Sequence, residues 1–399
     1  MCEGNASDDD ISKWKKSNRT SLYASFNNAD VSAIVPGKFQ LTDQILTERF
    51  IKLIESGACY KDAFEIFGKT GITDNQFELL MNDAEFSDFS LKIRIYYYLS
   101  RYMKINGFQF AGIGYDKLET MCFSMIQNTI SEICLKDLGS MENYKIAKDR
   151  VDIALPVRVN WGGGWTDTPP YCNEKGGAVL NAAIMLRGEY PVQVSVKKLK
   201  EYHIEFESED IGVSGVATSI EEIQNCNNPY DSFALHKAAL IACGVIPVAG
   251  QDKSLEELLK QYGGGIYVST QVVDVPKGSG LGTSSILAGA CVKAIFEFFD
   301  RKIEEQNLYD VVLCMEQIMS TGGGWQDQVG GLSDGIKWIT SAPGLKQSVK
   351  VEKVNISEDN KTELMERFAL IYTGQRRLAR NLLRDVVGNY IGNRSESLV

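Results

Sequence analysis

The chemistry-bearing residues of this chain gather in three short stretches. The densest is VPKGSGLGTSS, from Val275 to Ser285. Glycines at 278, 280 and 282 let a backbone wrap closely around a ligand. Thr283, Ser284 and Ser285 then place hydroxyls where an apolar helix begins. Uncapped N–H groups and the positive end of a helix dipole at such a point favour a phosphate. A glycine turn followed by an ordinary Ser/Thr cap would read the same way in isolation. The other two stretches are GGGWTD, Gly162 to Asp167, and GGGWQD, Gly322 to Asp327, which agree at five of six positions. Their flanks, LPVRVNW and MEQIMST, have nothing in common, so the likeness is local and no domain is duplicated. Arg158 precedes the first copy, and Glu316 lies 11 positions before Asp327 in the second. Phosphoryl transfer to a hydroxyl needs a carboxylate to orient or deprotonate the nucleophile, a hard oxygen ligand for Mg²⁺ and a fixed cation. Asp327, Glu316 and Arg158 are of those three types. Without the phosphate loop each aspartate would read as a turn or cap residue.

Composition narrows the field around these motifs. The chain has 399 residues, 44% apolar and 24% charged, and no apolar run approaches the length of a membrane helix. A formal net charge of −10 argues against a nucleic-acid or anionic-membrane partner. His203 and His236 are the only histidines, so multi-imidazole metal sites and Ser-His-Asp chemistry have little to draw on. The nine cysteines form no CxxC pair and, with no export signal at the start, read as reduced thiols of a cytoplasmic protein.

The elements that must position the motifs follow from the patterning. Residues 1–30 read as a polar, mobile start. The segment 31–150 reads as a helical appendage: TDQILTERFIKLIESG, FSLKIRIYYYLSRYMKING and KLETMCFSMIQNTISEICLKDLG each carry an apolar face and stop at glycine. From Val151 the texture is α+β. RVDIALPVRVNW, GEYPVQVSVKKL, YHIEFES and GGGIYVSTQVVDVP read as strands. DSFALHKAALIACG, ILAGACVKAIFEFFD and NLYDVVLCMEQIMS read as helices, and RFALIYTG as a last strand before the helix QRRLARNLLRDVVGN. In that last helix Arg376, Arg380 and Arg384 form a stripe that reads as solvated, with substrate contact as the alternative.

The loop is neither a Walker A motif nor a G-x-G-x-x-G fingerprint, and the H-R-D and D-F-G marks of protein kinases are missing. PKGSGLGTSS instead resembles the second signature, P-x-G-x-G-L-[GS]-[ST]-S, of the GHMP family of sugar and isoprenoid kinases. PVRVNWGGGWTDTPPY resembles that family's first signature, in a form nearer to fucokinases and heptose-phosphate kinases than to galactokinases. The resemblance covers about 150–390 and is strongest to the L-fucokinase part of bifunctional fucokinase/L-fucose-1-phosphate guanylyltransferases.

It implies a two-lobed GHMP-kinase fold, with residues 151–320 as the N-terminal, ATP-binding domain and 321–399 as the start of a C-terminal domain that is cut short. The family's third, glycine-rich signature is missing from the second lobe, which implies weakened ATP binding or turnover. Pro276, Lys277, Gly278, Ser279, Gly280, Leu281, Gly282, Thr283, Ser284 and Ser285 would bind ATP. Ser284 and Glu316 would hold Mg²⁺, the latter because a helix Glu precedes the catalytic Asp by a similar interval in the mevalonate-kinase-like branch. Asp327 and Arg158 would be catalytic. Asp167, Trp165, Gly164 and Gly324 would contact the sugar, although Trp165 and Trp325 read equally well as core plates. The implied reaction is ATP-dependent phosphorylation of the anomeric hydroxyl of L-fucose to L-fucose 1-phosphate. The alternatives are a D-glycero-D-manno-heptose phosphate kinase, or a non-catalytic fragment that binds only ATP or a partner. The resemblance implies a fused or separate guanylyltransferase as a partner; no nucleotidyltransferase signature stands near the N-terminus, so that activity is not carried over to this chain.

Overall fold

The computed structural model describes residues 12, 15–17, 21–136, 140–141, 143–226, 228, 230–249, 253–319, 323–374 and 379–394. Two compact units emerge, Met1–Phe86 and Ser87–Val399. The first is helical: α1 (Leu22–Asn27), α2 (Val31–Glu55), α3 (Tyr60–Phe64), a 3₁₀ turn (Glu65–Thr70) and α4 (Asp74–Phe86). Its aromatic centre is Phe50, stacked on Phe64 at 5.7 Å and tilted against Phe67 at 5.3 Å. The Asp43 carboxylate ties α2 to α4 by accepting from Asn75 at 2.6 Å and Gln76 at 2.7 Å. Helix α2 starts well before the Thr42–Asp43 cap that the sequence suggests, and it runs through Pro36.

The second unit opens with α5 (Phe89–Asn106) and α6 (Tyr115–Lys136). Asp88 caps α5 through its side chain, and Gly107 ends it in the left-handed conformation at φ 65°. Among the described residues the strands that follow are β1 (Arg150–Leu155), β2 (Val157–Gly162), β3 (Gly177–Ile184), β4 (Val192–Leu199), β5 (Ile204–Ser208), β6 (Val213–Ala217), β7 (Gly265–Val272), β8 (Ile336–Ser341) and β9 (Val349–Lys353). They form two sheets, ordered β1-β4-β7-β5-β6 and β2-β3-β8-β9. RVDIALPVRVNW is therefore two strands in two sheets. Pro156 interrupts the run, and with no N–H to give to a ladder it is where the chain crosses over.

Between and beside the strands lie α7 (Tyr171–Lys175), α8 (Ile220–Gln224), α9 (Ala234–Ala242), α10 (Leu255–Tyr262), α11 (Thr283–Phe298), α12 (Glu305–Ile318), α13 (Gln326–Leu332), α14 (Glu358–Arg367) and α15 (Ala379–Ile391). The main core joins the inward faces of β1, β4 and β7 to α9, α11 and α12, through residues such as Val194, Val196, Val268, Ile286, Cys291 and Ile295. β4 shows why: its sequence VQVSVKKL alternates, and its buried residues are Val192, Val194 and Val196. A smaller core of Val179, Tyr309, Trp325, Val329 and Ile339 seats α13 on the second sheet. Cys122, Cys172, Cys226, Cys243 and Cys291 are buried thiols outside any disulfide. Among the described residues no helix is long and apolar enough to cross a membrane.

RFALIYTG is not a strand. Arg367 closes α14, and Phe368, Leu370, Ile371 and Tyr372 are 37–81% exposed, with Phe368 edge-on to Trp161 at 6.4 Å. The apolar run Phe368 to Tyr372 has β-propensity, but among the described residues no neighbouring strand pairs with it. Arg376 lies outside the described residues, as does the side chain of Arg380. Arg384 sits over the Phe123 ring at 4.8 Å, so the arginine stripe is partly spent on α6 packing.

Candidate active site

The glycine-rich loop at 278–285 has the geometry its glycines suggest. Gly278, Gly280 and Gly282 take φ of 75°, 78° and 73°, values that a side chain would strain. Gly282 stands at the N-cap of α11 with no side-chain cap bond, so the Ser/Thr-cap alternative fails. The first N–H groups of this 16-residue helix thus receive no side-chain cap from residue 282. Ser279 adds a buried hydroxyl oxygen with no partner in the protein. A cavity of about 390 Å³ adjoins the loop, lined by Asp210, Ile211, Val272, Asp274, Val275, Pro276 and Lys277.

Asp327 is brought to this loop from α13. A Cβ placed on Gly282 would meet the Asp327 carboxyl carbon at 3.0 Å and Arg158 Nε at 3.1 Å. Arg158, carried by β2, links both elements. Its Nε donates to Asp327 Oδ1 at 2.8 Å, its Nη2 donates to the same oxygen, and its Nη1 donates to the Gly280 carbonyl at 3.1 Å. Its own N–H donates to the Leu281 carbonyl at 3.4 Å. The Asp327 side chain keeps 28% exposure, against 12% for Arg158, so the acid faces an accessible space while the cation stays behind it. Gly282→Ala is expected to raise the Kd for ATP about five- to thirtyfold and to lower the unfolding midpoint, because left-handed backbone costs a side chain about 1–2 kcal/mol. Titration with ATP and thermal unfolding read the two effects, and an unchanged ATP affinity would count against the loop.

Glu316, on α12, is 5% exposed and accepts a hydrogen bond from Ser285. Ser284, the hydroxyl expected to join it, is exposed on the first turn of α11. Gly323 allows close approach, since a Cβ there would lie 2.2 Å from Glu316 Oε2. Gly322 lies outside the described residues. Among the described residues no three His, Cys, Asp or Glu side chains converge as a closed cage.

Asp167 departs from the expectation of a sugar contact. It is 1% exposed, and both its oxygens accept from Gln326: Oδ2 from the backbone N–H and Oδ1 from Nε2, each at 2.9 Å. Gly324 makes room for it, as a Cβ there would lie 2.1 Å from Asp167 Oδ2. Gly164 is likewise a packing glycine, 2.4 Å from Asn160 Nδ2 by the same construction. The two tryptophans part company. Trp325 is a core plate, 1% exposed, whereas Trp165 is 40% exposed with φ 74°, an unusual conformation for so large a side chain. The sequence motif alone held no signal for Gln326, Asn160 or Lys337. The ammonium of Lys337 is fully buried and donates to the carbonyls of Gly330 at 2.8 Å, Gly335 at 3.1 Å and Ser333, closing the C-terminal end of α13.

Burial raises the Asp167 carboxyl to about 7, against the pull of the Gln326 N–H and Arg158 and with the push of Asp327. Burial likewise raises Glu316 to about 8, opposed by Ser285 and reinforced by Asp327 and Asp167. Both folded-state values lie above the ordinary carboxyl range, so between about pH 4 and 8 the folded chain binds more protons than the unfolded one. Their contribution to stability is therefore lost as pH rises through that window. In the presence of chelator, Glu316→Gln is expected to show a shallower fall in unfolding midpoint from pH 5 to 8 than the unsubstituted chain; equal slopes would contradict this.

Residues 252–335 match the family described as the GHMP kinases N terminal domain. An L-fucokinase/L-fucose-1-P guanylyltransferase of Bacteroides fragilis is 40% identical over 242 residues, which cover 60% of this chain and 25% of that protein. A bifunctional fucokinase/GDP-fucose pyrophosphorylase of Arabidopsis thaliana is 38% identical over 245 residues, 61% of this chain and 22% of that one. A D-glycero-alpha-D-manno-heptose 7-phosphate kinase of Campylobacter jejuni is 27% identical over 228 residues, 57% of this chain and 60% of the other. The chain thus spans about a quarter of the length of the two bifunctional relatives.

Proposed function

We propose that this chain is an ATP-dependent sugar kinase whose substrate is L-fucose, phosphorylated at the anomeric hydroxyl. The observation that carries the reading is the meeting of three separate segments at one point: the Gly278–Ser285 loop, Asp327 and the Arg158 guanidinium that bonds to both. The loop's uncapped helix end and the unpartnered Ser279 hydroxyl would hold the phosphates of ATP, and the adjoining 390 Å³ cavity, with Ile211, Val275 and Pro276 on its walls, suits a nucleobase. Mg²⁺, held by Glu316 and a loop hydroxyl, would neutralise charge on the transferring phosphoryl group. Both Arg158 bonds to the Asp327 carboxylate fall on Oδ1, so Oδ2 is the oxygen that would orient the sugar hydroxyl and take its proton. Arg158 would hold that carboxylate in register and offset charge near the phosphate loop. Trp165, exposed and conformationally strained, is the ring available to the apolar face of a deoxy-sugar.

The choice of sugar rests on the two bifunctional relatives, and domain limits of 151–320 and 321–399 remain part of this proposal. ADP release measured against L-fucose, D-galactose, mevalonate and D-glycero-D-manno-heptose 7-phosphate tests it. Turnover confined to L-fucose supports the proposal, turnover with the heptose phosphate moves the chain to the alternative reading, and ATP binding without any turnover makes it a binding module.

A further inference from the structure

The two glycine-tryptophan loops are joined by a hydrogen-bond chain whose direction the backbone dictates. Gly162 N–H, which can only donate, donates to Asn160 Oδ1 at 2.9 Å. That fixes the orientation of the Asn160 amide, so Nδ2 donates to Gln326 Oε1 at 2.7 Å. Gln326 must then present Nε2 to Asp167 Oδ1 at 2.9 Å, and its backbone N–H meets the other carboxylate oxygen at the same distance. Asn181, from β3, donates to the Gln326 carbonyl at 3.3 Å. The third glycine of each run clears the path: a Cβ on Gly164 would strike the Asn160 amide and a Cβ on Gly324 the Asp167 carboxylate.

Gln326 occupies the one position at which GGGWTD and GGGWQD differ. In the first loop the equivalent Thr166 is turned away, bonded to Gly163 and Ala178 carbonyls at 2.6 and 3.0 Å. In the second loop Gln326 touches Asp167, Asn160 and Asn181, and the next residue is Asp327. We propose that Gln326 is a positioning residue: the one-way relay Gly162–Asn160–Gln326–Asp167 fixes the spacing of the two loops and, through it, the place of the Asp327 carboxylate. Asp167 is the acceptor end of that relay. The inference rests on the kinase reading for its catalytic consequence, and on geometry alone for the relay.

A reciprocal exchange tests it. Gln326→Glu sets a carboxylate against Asp167, and Asp167→Asn sets a donor against a donor in either amide orientation. Each single change is expected to lower kcat at least about a hundredfold, the scale of a misplaced catalytic group, with KM for ATP within about threefold of the unsubstituted value. In the double variant Asp167→Asn/Gln326→Glu the Asn amide donates to the new carboxylate, which still accepts from Asn160, while the backbone N–H at 326 meets the Asn carbonyl. Its kcat is expected within about tenfold of the unsubstituted enzyme, and its thermal midpoint above those of both singles. Losses that add in the double variant would overturn the relay. Recovery of the midpoint without recovery of kcat would overturn the positioning role. If the unsubstituted chain turns over no sugar, the kinase reading falls, and the midpoint cycle alone decides whether the relay exists.

Discussion

Asp327→Asn is expected to lower sugar-dependent ADP formation about a thousandfold while ATP still binds within a few-fold of its original affinity. The substitution keeps the size and planarity of the side chain and removes one charge. At Oδ1 an amide oxygen can still accept from Arg158, so the loop that contacts Arg158 through Gly280 keeps its support. At the other position an amide nitrogen replaces the oxygen that would receive the sugar proton, and the group can no longer act as a base. A general base contributes typically 10²–10⁴-fold, which sets the expected size. Isothermal titration with ATP and a coupled ADP assay separate the two effects. Turnover equal to that of the unsubstituted chain would remove Asp327 from the chemistry, and loss of ATP binding would make it a structural residue of the loop.

The second large effect is expected at Arg158. Its guanidinium is the one described contact shared by the phosphate loop and the acid, and its side chain is 12% exposed. Arg158→Met removes the fork as well as the charge and is expected to cost about 10²–10³ in kcat, the range found when one preorganised charge-stabilising donor is lost. Arg158→Lys keeps the charge, but an ammonium cannot reach Asp327 Oδ1 and the Gly280 carbonyl in the same fixed geometry. It is therefore expected to recover less than a tenth of the lost rate. Full activity in the Lys variant would reduce the role of Arg158 to charge alone.

Much of this site was legible in the sequence because its residue types are dictated by local backbone. Alternate glycines before an apolar helix admit few conformations, and all three take the left-handed values that such a loop needs. Asp327 and Arg158, 169 positions apart, were assigned to one site by their types and by family resemblance, and the ion pair brings them together. What stayed hidden depends on long-range packing. The five residues shared by the two GGGWxD stretches do not tell their tryptophans apart, yet Trp325 fills a core while Trp165 remains exposed. Asp167 looked like a ligand because of its motif and became an acceptor of Gln326 because β2, β3 and α13 converge there. RFALIYTG has strand character in its residues, but strand identity requires a partner edge, a property that no window of sequence contains.

The central claim is tested most directly by ³¹P NMR of the chain incubated with Mg·ATP and L-fucose. Growth of a sugar 1-phosphate resonance in step with ADP, absent in the Asp327→Asn variant, is the predicted result. ADP appearing at the same rate with and without sugar, or a phosphate ester at a hydroxyl other than the anomeric one, would contradict it.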